Sequence, residues 1–145
     1  MANQTKLTIP TRDRDIKREW FLVDVKDKVL GRVATEIAGY LMGKDKPYFV
    51  RNLDMGNFVV VVNCKDVKVT GNKRKQKTYE NYSGYPGGRK VKTFETVIQD
   101  HPERVIREAV SGMLPHNKLH DILMSRLYIY PDDSHPYESK FKIKN

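Results

Sequence analysis

The run Phe58-Val59-Val60-Val61-Val62-Asn63 constrains this chain more than any other stretch. Valine is β-branched and stiff at χ1, which suits a pleated strand. Four valines in a row leave no polar alternation, so both sides of the strand need cover. Parallel sheets with crossover helices supply such cover. Trp20-Phe21-Leu22-Val23-Asp24-Val25 reads as another strand of the same kind, nearly continuous in apolarity. Between the two runs, Leu30, Val33, Ala34, Ile37, Ala38 and Leu41 keep helical spacing and form one stripe. Gly43 and Pro47 punctuate its end. The order strand, helix, strand opens an α/β sheet.

Helical patterning resumes at Phe94, Val97 and Ile98. His101-Pro102-Glu103 reads as a new helix start, since proline is tolerated in a first turn and glutamate complements the helix dipole. Val105, Ile106, Ala109, Val110 and Met113 continue it until Pro115. Leu119, Ile122 and Leu123 predict one more short helical turn. Leu127–Tyr130 predicts a last strand, and Val67-Lys68-Val69 a short third one. At 145 residues the chain reads as a single domain. Residues 1–18 read as an extended N-terminal arm and residues 131–145 as an exposed C-terminal tail.

Charge separates the function classes. Lys and Arg number 27 against 18 Asp and Glu, a net charge of +9. Residues 65–92 hold nine of those cations and two acids, Asp66 and Glu80, which concentrates most of the excess in one segment. Tyr79, Tyr82 and Tyr85 are interleaved there, with Gly84, Gly87 and Gly88 around Pro86. Cations neutralise phosphates and release counterions, while tyrosines stack on splayed bases. Glycines let a backbone approach a phosphate closely. The pattern points to nucleic acid. RNA is preferred over DNA, because no helix-turn-helix or zinc-finger pattern is present to read a major groove.

Competing chemistries find little support. The turn before the first helix offers only Gly31, with neither GxGxxG nor a Walker loop, so a nucleotide-dependent α/β enzyme is disfavoured. His116 and His120 share a helical face without further ligands beside them. Cys64, the single cysteine, excludes an internal disulfide and reads as a small buried hydrophobe. No apolar run is long enough to span a bilayer. No catalytic residue, cofactor, metal or small-molecule substrate is therefore expected.

Four blocks resemble the bacterial-type ribosomal protein family numbered thirteen of the large subunit. They are Leu30-Gly31-Arg32-Val33-Ala34-Thr35; Asp54-Met55-Gly56-Asn57-Phe58; Thr70-Gly71-Asn72-Lys73 with Ser83-Gly84-Tyr85-Pro86-Gly87-Gly88; and Pro102-Glu103-Arg104-Val105-Ile106 with Gly112-Met113-Leu114-Pro115. Their order and spacing cover residues 18–130. The resemblance implies a three-layer α/β/α domain with a mainly parallel four-stranded sheet, a basic loop and terminal extensions. It implies a non-enzymatic constituent of the large ribosomal subunit that binds large-subunit ribosomal RNA early in assembly, beside other ribosomal proteins. A cytoplasmic ribosome is the expected location, with an organellar one open. A regulatory RNA-binding role off the ribosome is the alternative.

The RNA contacts implied fall on Lys44, Lys46, Lys73, Arg74, Lys75, Lys77, Tyr79, Tyr82, Ser83, Gly84, Tyr85, Gly87, Gly88, Arg89, Lys90, Lys92, Lys118 and Arg126. Asp27 departs from the family's frequent glycine, and His120-Asp121 from its Gly-Arg. The tail beyond His135-Pro136 matches poorly.

Overall fold

The computed structural model describes residues 10–141. The elements of its core follow the apolar patterning. Strand β1 (Trp20–Asp24) leads into helix α1 (Leu30–Met42), and the valine run forms β2 (Phe58–Val62). Further on come α2 (Lys73–Gln76), β3 (Thr78–Tyr82), β4 (Arg89–Thr93), α3 (Phe94–Asp100), α4 (Pro102–Met113), α5 (His120–Met124) and β5 (Leu127–Ile129). Pro102 occupies the first turn of α4, where its missing N–H is harmless. Gly43 ends α1 at φ 77°, and a Cβ there would overlap the Met55 carbonyl oxygen.

The main sheet has three parallel strands in the order β1-β2-β5. β2 is central, which explains why Val59 to Val62 are all buried. β1 is an edge strand, and Leu22 is 49% exposed, so two-sided cover does not extend to it. One sheet face carries Val23, Val59, Val61, Leu127 and Ile129. It joins the buried residues of α1, α3, α4 and α5 in one core, with Ile37, Leu41, Val105, Ile106 and Val110 among them. Cys64 lies in that core, and burial pushes its thiol up to about 12, as befits an inert hydrophobe.

The expected sheet is corrected in two respects. It has three strands rather than four. Val67-Lys68-Val69 contributes only a single parallel bridge, from Lys68 to Val29. The left-handed residues Asn63 (φ 60°) and Gly71 (φ 62°) bracket this stretch, leaving too little extended chain for a ladder. The remaining strands, β3 and β4, form a separate antiparallel pair. The second sheet face carries an aromatic cluster rather than joining the helical core. Trp20 stacks on Phe58 with centroids 4.5 Å apart, and Tyr137 of the C-terminal tail lies 5.1 Å from Trp20 and 4.7 Å from Tyr128.

The described part of the tail is mostly exposed, with Tyr137 half-buried in this cluster. Of the N-terminal arm, residues 1–9 lie outside the described residues, as do 142–145 of the tail. The described part of the arm is held down: Thr11 donates to the Tyr48 carbonyl and Arg18 pairs with Asp54. Asp27 adopts φ 59°, the left-handed region where glycine is at ease, and pairs with Lys68 at 2.6 Å. The departure from glycine is confined to that turn.

Candidate nucleic-acid interface

Residues 71–93 leave the main sheet and form a two-stranded ribbon preceded by one helical turn. Lys73, Arg74 and Lys75 sit on that turn, α2, and are exposed. β3 and β4 are exposed at every position except Tyr79. Register pairs Tyr82 with Arg89, Glu80 with Val91, Asn81 with Lys90 and Tyr79 with Lys92. Side chains alternate across a strand, so Glu80, Tyr82, Arg89 and Val91 share one face. Tyr79, Asn81, Lys90 and Lys92 share the other, which turns toward α4 through an Arg104–Asn81 hydrogen bond of 3.4 Å.

The tip is a built turn. The Gly88 amide donates to the Tyr85 carbonyl at 2.9 Å, and Gly87 has φ 73°. Proline second and a left-handed glycine third define a type II turn. Gly88 has a different reason: a Cβ there would overlap the Ser83 Oγ and lie 3.0 Å from the Tyr85 carbonyl oxygen. This turn presents Tyr85, 75% exposed, beyond the end of the ribbon.

The sequence-predicted site residues divide into three groups. Lys73, Lys75, Lys77 and Lys90 are exposed and have no acidic partner among the described residues. Tyr82, Ser83, Gly84, Tyr85 and Gly87 cluster with them on the ribbon, with Gly88 half-buried beneath. A second group is already paired. Glu80 grips Arg89 with both oxygens, at 3.1 and 2.6 Å. Lys92 pairs with Asp100 at 2.8 Å and Arg74 with Glu95 at 3.5 Å.

The third group lies away from the ribbon or inside the fold. Tyr79 is 5% exposed and packs in the core, with Lys77 5.2 Å above its ring. Desolvation pushes its hydroxyl up to about 12, and that oxygen has no partner among the described residues. Lys46 is buried and donates to the Met55 carbonyl at 2.7 Å; burial lowers its pKa. Arg126 is clamped to Asp54 through both nitrogens, one contact being 2.6 Å. That bond holds the Asp54 carboxyl below the usual carboxylate range. Lys44 and Lys118 are exposed but lie on separate loops.

The block Asp54-Met55-Gly56-Asn57 therefore works as a structural knot. Asp54 ties Arg18 and Arg126, while Met55 is fully buried. A Cβ on Gly56 would overlap the Leu41 carbonyl oxygen. Asn57 accepts from the Glu19 amide and donates to Asp45. Its sequence signal was the family resemblance; the apolar pattern gave no hint of it. Pairing of Arg89 with Glu80 was accessible only through strand register.

A helix-covered parallel sheet that holds out an exposed cationic ribbon defines the class: a small basic α/β scaffold with a peripheral charged hairpin. Its family is explicit in the sequence comparisons. The chain belongs to the ribosomal protein L13 family, whose model matches residues 18–136. It is 50% identical over 133 residues to "Large ribosomal subunit protein uL13" of Prochlorococcus marinus subsp. pastoris, covering 92% of this chain and 93% of that one. The protein of the same name from Francisella tularensis subsp. novicida is 47% identical over 133 residues, covering 92% and 94%.

Proposed function

We propose that the chain is a structural constituent of the large ribosomal subunit and binds large-subunit ribosomal RNA through the ribbon and α2. The observation that carries this reading is near end-to-end similarity to bacterial proteins named for that subunit. The ribbon supplies the matching chemistry. Four lysines without acidic partners among the described residues stand on an exposed projection, available to phosphates. Tyr79, packed in the core, and the Arg104–Asn81 hydrogen bond hold that projection against the helices. On this reading the chain carries no reaction and needs no cofactor. It joins the RNA early in assembly, beside neighbouring ribosomal proteins, in the cytoplasmic ribosome. Among the described residues no helix is long and apolar enough to cross a membrane.

The test is sedimentation of the tagged chain expressed in bacterial cells. It should travel with large subunits and their precursors, and leave them at high salt together with a loss of RNA contacts. A chain that stays at the top of the gradient in low salt would overturn the proposal.

A further inference from the structure

We infer that the outward face of the ribbon is a stacking platform for unpaired RNA bases, formed by Tyr82, Arg89 and Val91 with Tyr85 at the tip. This rests on the RNA-binding reading above and specifies which RNA the site takes. Three observations converge on it. Tyr82 is 69% exposed, Tyr85 75% and Val91 50%, so apolar surface is displayed rather than buried. Tyr82 and Arg89 are register partners, so their side chains leave one face of the ribbon from directly opposed positions. Glu80 holds that guanidinium in a two-pronged grip of 3.1 and 2.6 Å.

The Glu80 grip changes what Arg89 can do. Its charge is already balanced, so it has little to offer a phosphate in released counterions. Its plane remains, with 65% of the side chain exposed, and planar guanidinium groups stack on bases. Lys73, Lys75 and Lys90 supply phosphate neutralisation instead, from α2 and the ribbon's other face. A continuous duplex buries its base faces in its own stack and offers only phosphates and sugars. Loops, bulges and single strands expose a π-face that a tyrosine can cover. The platform therefore selects looped RNA, while the lysines alone would bind either form.

The experiment measures affinity of the full chain at one salt concentration for two RNAs with equal numbers of phosphates. One is a stem closed by a large unpaired loop; the other is a continuous duplex. The native chain should bind the looped RNA more tightly. Tyr82→Ala with Tyr85→Ala should weaken looped-RNA binding about fivefold or more and leave duplex binding within about twofold. Tyr82→Phe with Tyr85→Phe keeps both rings and should bind like the native chain. Arg89→Lys keeps the charge but loses the plane, and should weaken only the looped complex. Equal preference of the native chain for the two RNAs would overturn the platform. So would an equal loss on both RNAs in the alanine pair, or no loss at all. In those cases the RNA-binding reading survives. A native chain that binds neither RNA overturns both. A tyrosine pair needed for particle incorporation but not for RNA affinity would mean that a protein covers this face, and would also overturn the platform.

Discussion

Replacing Lys73, Lys75, Lys77 and Lys90 together by glutamine tests the division between free and paired cations. Each phosphate contact contributes about 0.7 to 0.9 to the slope of log affinity against log salt. Four free lysines should therefore remove about 2.8 to 3.6 from that slope. Between 50 and 200 mM salt, this amounts to roughly a 50- to 150-fold difference in how much affinity is lost. The charge-neutral replacement Glu80→Gln with Arg89→Gln should leave the slope unchanged, because that pair releases no counterions. All four lysines are exposed, and only Lys77 touches an aromatic ring, at 5.2 Å. Loss of that contact costs about 0.5–1 kcal/mol, or about 1–4 °C in melting temperature. The assay is filter binding to ribosomal RNA across a salt series, with a thermal melt of each variant. A folded quadruple variant whose slope falls by less than about one would refute the assignment.

Three further outcomes concern the scaffold. Ile37 is fully buried beneath the sheet, so Ile37→Ala should destabilise by about 2–5 kcal/mol in a denaturant titration. Arg126→Ala should cost about 1.5–3 kcal/mol near neutral pH, because it removes charge-assisted hydrogen bonds to a largely covered carboxylate. Since Arg126 lowers the folded-state pKa of Asp54, that stabilisation is present above the unfolded value of about 3.9 and fades as pH falls through the lowered one. The stability gap between native and variant proteins should accordingly narrow in acid. Tyr79→Phe removes a buried hydroxyl that has no partner among the described residues, and should raise the melting temperature or leave it unchanged. RNA affinity should not move, because the ring is in the core.

The core was legible because its residues repeat. The helical stripe from Leu30 to Leu41 and the valine run of β2 each satisfy a single period, and burial follows that period. The ribbon was not legible as strands, because one side chain of its ten, Tyr79, is buried. A ribbon facing water on both sides imposes no apolar alternation, so it reads as a loop. Its glycines and proline did announce the turn, and Gly87 has the positive φ that the Pro-Gly pair requires. What composition could not distinguish was a free lysine from a paired arginine. Both count as one positive charge in a sequence. Register alone sets Glu80 within reach of Arg89, and a salt bridge to Asp100 engages Lys92.

The placement of the ribbon has an energetic consequence. Most of the buried apolar surface lies between one sheet face and four helices, and the ribbon adds Tyr79 to it. Substitutions at Tyr82, Tyr85, Lys75 or Lys90 therefore act on a surface whose contribution to folding is small. Substitutions at Asp54, Gly56, Asn57 or Arg126 act on the knot that joins the first helix's end to the strand entries. Both kinds would weaken RNA binding, but by different routes. The first alters the intrinsic affinity of a folded molecule. The second lowers the folded fraction, so affinity recovers whenever folding is restored. A cooler temperature or a stabilising osmolyte should rescue a knot variant and leave a ribbon variant unchanged. That difference separates the residues proposed to touch RNA from those that keep the scaffold folded.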